Sequence, residues 1–364
     1  MTDFDVLVIG GGQAGLATAY WLRRLGQKFV VLEALDRPGE RWRKRYASLT
    51  LFTPREFSSL PGLPIQGIPS GYASAVEFAD YLELYAAKYE LPVRTNQPVV
   101  RLARSETSFV ASLQSGEQVS ASTVIVATGG FQLPVIPTIA TELSPGVQQL
   151  TADAYHSPAD VISQSVLVVG DGATGRDIAA DLGATHRVTL ACGRQRRLLP
   201  ETFLGLSTWK WLKALGLLNA AGNSPVGRFM RKAEPFPNRQ RELSDLRRMG
   251  IDIRPRATSV TGWRVGFADG GSLEAQAVVW ALGYRDDTSW VDIPGAVDAE
   301  GSFLHFRGRS PVPGLYFVGR PWQRNRASAL IMGVGSDARL IAAEVAEPFG
   351  HDTRIALEQT LRPR

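Results

Sequence analysis

Apolar runs that end in glycine clusters punctuate the chain. Asp5-Val6-Leu7-Val8-Ile9 is β-branched and continuous, the pattern of a strand buried on both faces. It enters Gly10-Gly11-Gly12-Gln13-Ala14-Gly15, and a helical period follows through Leu16, Ala19, Tyr20 and Leu22 as far as Gly26. A second strand, Phe29-Val30-Val31-Leu32, ends on Glu33. Strand, glycine turn, helix, strand and acid in this order predict a dinucleotide site. Gly10 makes the tight turn, Gly12 admits a pyrophosphate close to the backbone, and Gly15 lets helix and strand approach. The helix start at Gln13 and Ala14 offers free N–H groups to phosphate. Glu33 can accept from both ribose hydroxyls. The turn alone does not say which dinucleotide binds.

The same pattern returns further on. Val166-Leu167-Val168-Val169 reads as a buried strand, Gly170-Asp171-Gly172-Ala173-Thr174-Gly175 as the turn, and Ile178, Ala179 and Leu182 as a helix. Val188-Thr189-Leu190 is the next strand. No acid follows it; Arg194, Arg196 and Arg197 do. A carboxylate there would repel a 2′-phosphate, whereas a guanidinium binds one bidentately, so the second site is expected to take NADPH. The alternative is a solvated basic loop.

Between and beyond these units the pattern is mixed. From Arg37 to Gly71 the chain is loop-rich, and Arg41, Trp42 and Phe52 are candidates to cover a flat cofactor ring; ordinary packing is the other reading of the aromatics. Ser74-Ala75-Val76-Glu77 is a capping box that opens a helix reaching about Glu90. Short antiparallel strands are predicted over Val99–Val119, and Thr123–Ala127 is a further buried strand running into Thr128-Gly129. The linker Phe131–Pro145 follows. Residues 200–256 form an insertion with an apolar cluster (Trp209, Trp211, Leu212, Leu215, Leu217, Leu218) and many basic residues. It is expected to cover the second nucleotide unit, or else to wall a substrate channel. Val278–Ala281 ends in Leu282-Gly283, echoing Val126–Gly129, and Gly314–Gly319 is a strand entering a glycine. A helix from about Gly335 to Val345 is predicted after it, its start aimed at a flavin ring or ribityl chain.

Composition narrows the classes. The chain has 364 residues, 44% hydrophobic and 21% charged, enough for two domains with ordinary cores. A net charge of +5 is too small to argue for nucleic-acid binding. The lone Cys192 forbids an intramolecular disulfide or a redox pair, and four histidines without ligand spacing leave no metal site expected. With the first strand beginning at residue 4 and no long apolar run, a cytoplasmic protein without a membrane span is expected.

At this point the chain resembles the flavin-containing monooxygenases, of the superfamily of flavoproteins with two dinucleotide domains. The likeness rests on both turns, on Ala127-Thr128-Gly129 with its spacing to Pro134 and Pro137, and on Gly314-Leu315-Tyr316-Phe317-Val318-Gly319. It implies an α/β fold with two Rossmann-like domains in a glutathione-reductase-like arrangement. The FAD domain would be discontinuous (1–150 and 285–364), with the NADP domain (151–284, carrying the 200–256 insertion) set into it. The resemblance further implies resident FAD on the first turn, NADPH on the second, and oxygenation of a small sulfur, nitrogen or carbonyl compound by O2 through a C4a-(hydro)peroxyflavin. Thr128, Gly129, Gly283 and Gly319 would lie against the cofactors, with Arg194 and Arg196 on the 2′-phosphate. Phe52, His156 and Asn325 are the candidates nearest the chemistry. A homodimer is compatible with this reading.

Departures are visible. The family's Phe-x-Gly-x-x-x-His signature survives only as the His of Leu150–His156; Asp160 stands where Baeyer–Villiger enzymes carry Trp, and Arg320 follows Gly319 where related reductases carry Asp. Tyr155-His156-Ser157 could instead cap the next segment. An NADPH oxidase or reductase of the same fold, or a non-catalytic redox sensor, remain the alternatives. A dithiol reductase is excluded by the single cysteine.

Overall fold

The computed structural model describes residues 2–194, 198–233 and 237–346. Two parallel-cored sheets dominate it. The first has eight strands. Its central strand Phe4–Ile9 pairs in parallel with Phe29–Leu32 on one side and with Gln118–Val126 on the other. Val93–Arg94 extends one edge, and Leu315–Phe317 pairs in parallel with Gln118–Val126. An antiparallel meander, Val99–Arg104, Phe109–Leu113 and Gln118–Val126, completes the other edge with Val291–Asp292.

The period of two along each strand builds the core. Val6 and Val8 face a cluster under the helices Gln13–Arg24, Ala75–Lys88 and Ile331–Ala346; Leu7 and Ile9 face the meander with Phe303 and Phe317. Both faces are covered, which is why the strand sequence is apolar without alternation. The helix Ala75–Lys88 starts at the expected capping box: Glu77 N donates to Ser74 Oγ (3.1 Å) and Ser74 N to Glu77 Oε2 (2.8 Å).

The second sheet has five strands, all parallel, in the order Asp252–Arg254, Arg187–Ala191, Ser165–Val169, Ala277–Trp280 and Gln148–Thr151. A three-stranded antiparallel sheet, Ala257–Thr261, Arg264–Phe267 and Ser272–Glu274, covers part of it. The chain crosses between the sheets twice, and the crossings pair: Leu133–Pro134 runs antiparallel to Tyr284–Arg285.

Three expectations change. The last helix begins at Ile331, ahead of Gly335, because its glycines serve close packing within the helix. A Cβ on Gly333 would lie 2.2 Å from the Ala327 carbonyl oxygen, and one on Gly335 2.7 Å from Pro61. Trp21 Nε1 uses the access to donate to Gly335 O at 3.1 Å. Second, the stretch read as an insertion over 200–256 ends in a strand of the second sheet, Asp252–Arg254, whose charged edge position hides its pattern. Third, the apolar cluster of that stretch packs on the first unit, not the second: Trp209, Leu212, Leu218 and Met230 meet Phe57, Ala327 and Leu330. Two long-range hydrogen bonds hold it there, Gly222 N to Arg324 O (3.0 Å) and Ala327 N to Leu218 O (3.2 Å).

Candidate functional site

The two glycine turns are built alike at their three shared glycines. Gly10 has φ +109° and Gly170 φ +110°, a region open to glycine. A Cβ there would meet the carbonyl oxygen of Ala127 at 2.7 Å or of Ala281 at 2.4 Å, so the strand following each unit closes down on its turn. A Cβ on Gly15 would lie 1.8 Å from Gly10 O, and one on Gly175 1.8 Å from Gly170 O, so neither helix could pack with a larger residue. Gly12 and Gly172 differ in kind: a Cβ on either meets nothing within 4 Å. Gly15 and Gly175 hold the backbone together, and Gly12 and Gly172 keep a space clear in front of a helix N-terminus.

The turns diverge in the acid they engage. Glu33 Oε2 accepts from Gly11 N (2.6 Å) and Oε1 from Leu35 N (2.9 Å), and burial raises its pKa against the lowering pull of these N–H groups. In the second unit the acid sits in the turn itself. Asp171 Oδ1 accepts from Gly193 N (3.0 Å), while the strand register puts Cys192 in the place of Glu33. Asp171 also pairs with the buried Arg176 (3.4 Å). Arg194 follows Gly193 and lines the cavity together with Arg256.

Both turns open on one cavity of about 1380 Å³. Gly10, Gly12, Gln13, Ala14, Glu33, Arg41, Trp42, Phe52, Thr128, Gly129 and Gly319 line it from the first unit. Gly170, Gly172, Ala173, Thr174, Arg194 and Gly283 line it from the second. Gly15 and Gly175 stand behind the lining, as their packing role requires, and Arg196 lies outside the described residues. Trp42 is fixed by its indole N–H, which donates to Gln13 Oε1 at 3.1 Å, and by an edge contact on Phe78. The backbone carbonyl of Phe52 accepts from Trp209 Nε1 at 3.0 Å, so the relocated cluster braces this wall.

Two sequence candidates are not brought to the cavity. His156 is exposed and does not line it. Asp160 Oδ2 accepts from His156 N (2.7 Å) and Ser157 N (2.8 Å), capping the short helix Pro158–Asp160 and leaving the imidazole outside. Asn325 is buried but turned inward. Its Oδ1 accepts from Ala327 N at 3.0 Å as the cap of a 3-10 turn, and the next residue, Arg326, lines the cavity instead.

Other lining residues carried no sequence signal. Arg45 donates to Asp153 Oδ1 (3.0 Å) and to Tyr284 OH (2.6 Å), while Arg41 holds Asp153 Oδ2 (2.5 Å). These bonds tie the first unit to the second and to the crossing. Arg239 reaches from the insertion to Thr50 Oγ1 and lies 3.6 Å from Asp177 Oδ2. Tyr46 OH donates to the same carboxylate oxygen at 3.1 Å. Burial and the Asp177 charge push the Tyr46 phenol far up, so it stays a proton donor. Among the described residues no group of three or more His, Cys, Asp or Glu side chains is placed to hold a metal.

Two nucleotide cradles facing one cavity define an oxidoreductase that brings two dinucleotides together. The chain belongs to the pyridine nucleotide-disulphide oxidoreductase family, whose model matches residues 7–205. It is 44% identical to a CzcO-like oxidoreductase of Geobacillus kaustophilus over 94% of this chain and 98% of that one. It is 28% identical to the probable indole-3-pyruvate monooxygenase YUCCA9 of Arabidopsis thaliana, over 96% of this chain and 90% of that one. Among solved structures it matches a flavin-containing monooxygenase from Stenotrophomonas maltophilia, with a TM-score of 0.79 and 27% identity, covering 95% and 98% of the two chains. The chain is an oxidoreductase of the flavin-monooxygenase type. No helix among the described residues is long and apolar enough to cross a membrane.

Proposed function

We propose that the chain is an NADPH-dependent flavoprotein monooxygenase, with FAD held on the first turn and NADPH docking on the second. It would use O2 to oxygenate a small compound bearing a nucleophilic sulfur or nitrogen, or a carbonyl. In this reading the first sheet, built from both ends of the chain, is the FAD part, and the second sheet is the NADPH part. One observation carries it: both cradles and the apolar wall of Phe52, Leu330, Ile331 and Val334 line a single cavity of about 1380 Å³. Small-molecule sites commonly span roughly 300–1,000 Å³, so this space suits more than one ligand.

When bound, the cofactors supply hydride transfer and reductive activation of oxygen. The chain supplies position and charge. The free N–H groups at Gln13 and Ala14, and at Ala173 and Thr174, face the space kept clear by Gly12 and Gly172, where pyrophosphates fit. Glu33, already oriented by Gly11 N–H, accepts ribose hydroxyls. With Cys192 in place of an acid and Arg194 two residues beyond it, the second site favours a 2′-phosphate. The family's dithiol chemistry has no counterpart, since the chain has one cysteine. Burial and the Asp171 charge push that thiol, Cys192, up to about 11.

The test measures NADPH oxidation, O2 uptake and hydrogen peroxide together while a panel of thioethers, amines and ketones is offered under 18O2. One substrate that incorporates a single labelled oxygen and lowers the peroxide yield supports the proposal. Recovery of all consumed O2 as peroxide with every compound makes the protein an NADPH oxidase instead.

A further inference from the structure

The inserted stretch presents an apolar surface that the reaction above does not use. Its hairpin, Thr202–Phe203 paired with Leu206–Ser207, carries Phe203, Leu204 and Leu206 at its tip, and Leu204 is 77% exposed and Phe203 56%. Hairpin tips normally carry Asn, Asp or Gly, which tolerate positive φ. Leu204 sits there at φ +49°, so an apolar side chain is displayed at a backbone cost. The tip is braced. Trp211 Nε1 donates to Phe203 O at 2.8 Å, the two rings meet edge to face, and Ser207 Oγ accepts from Lys210 N to start the helix Thr208–Ala214. One turn on from Trp211, Leu215 is 65% exposed. On the helix Pro225–Ala233, Phe229 is 69% exposed.

The charges around these residues are mostly basic, although Lys210 lies 3.3 Å from Glu56. Residues 200–233 hold Lys210, Lys213, Arg228, Arg231 and Lys232 against the single acid Glu201. Apolar tips and an indole set among lysines and arginines match a surface that is apolar below and anionic above. We propose that this face docks on an anionic lipid bilayer, the Phe203–Leu206 tip entering the interface and the basic residues meeting the headgroups. A second copy of the chain fits less well, because mating two such faces brings their cations together. The helix Thr208–Ala214 that carries Trp211 also carries Trp209 and Leu212, which pack against Phe52 and Leu330 of the cavity wall, so the docking face and the cavity wall share one element.

The test uses the flavin-loaded protein and two vesicle preparations, phosphatidylcholine alone and phosphatidylcholine with phosphatidylglycerol, in a sedimentation assay. Binding should favour the anionic vesicles by at least about tenfold and weaken as salt is raised. The double variant Phe203→Ser, Leu204→Ser should lose about tenfold or more in partitioning, since it removes the inserted apolar surface. Lys213→Gln should cost roughly fivefold on anionic vesicles and nothing on neutral ones. Thermal melting and the rate of flavin reduction by NADPH confirm that the variants are folded. Absence of wild-type binding to either vesicle overturns the proposal. So does a dimer in light scattering that the double variant turns into a monomer, which would assign the face to contact between copies.

Discussion

Gly12 and Gly15 of the first turn allow the proposed FAD site to be tested apart from the fold. At Gly12 the backbone is extended (φ −80°, ψ −171°), which any residue adopts, and a Cβ meets nothing within 4 Å. Gly12→Ala should therefore leave the flavin-free protein folded, at a cost of no more than about 1 kcal/mol for a poorer helix cap. Its methyl group stands where the pyrophosphate would approach the helix. Displacing the phosphate by enough to lose one charge-assisted N–H bond costs about 1.5–3 kcal/mol, or roughly 10- to 150-fold in the Kd for FAD. Gly15→Ala is the opposite case. Its Cβ would sit 1.8 Å from Gly10 O, far inside the 3.0 Å that real Cβ atoms keep, and the obstacle is backbone. The helix must move, at about 3 kcal/mol or more, which lowers the Tm of the flavin-free protein by roughly 6 °C or more. The assay pairs thermal melting of deflavinated protein with a fluorescence titration of FAD. Unchanged FAD affinity in Gly12→Ala, or an unchanged Tm in Gly15→Ala, refutes the division of roles.

Further expectations follow from individual contacts. Arg194→Ala should raise the KM for NADPH about tenfold or more and leave that for NADH nearly unchanged; equal losses would end the 2′-phosphate assignment. His305 is held down to about 4 by burial and by the Arg320 charge, below its ordinary 6.5. The unfolded chain therefore binds the extra proton between these values, and the stability His305 confers is full above pH 6.5 and lost as pH falls toward 4. His305→Phe should flatten that part of a Tm-against-pH curve, and an unchanged slope would exclude His305 as its source. Trp209→Phe keeps a buried ring but removes the donor to Phe52 O, so a loss of about 1–3 kcal/mol in urea unfolding is expected.

The sequence by itself determined the two nucleotide units, because their signals are local. A tight turn, a close approach and a helix start each demand a glycine at a set spacing from an apolar strand, and a single chain segment contains all of them. It also determined the contrast between Glu33 and Arg194, which rests on charge at the end of a strand. Only the tertiary structure decided which side chains meet across units. Asp252–Arg254 is a sheet-edge strand too short and too charged to show a period. His156 looked placed for chemistry by motif, yet Asp160 captures its backbone N–H and leaves the ring outside. Asn325 is spent on capping its own turn. The insertion's apolar cluster, expected to cover the second unit, packs on the first; that depended on the fit of Trp209 to Phe52, Phe57 and Leu330. Arg45, Tyr46, Asp177 and Arg239 became neighbours only on folding, since contacts between distant segments leave no periodic trace in any one of them.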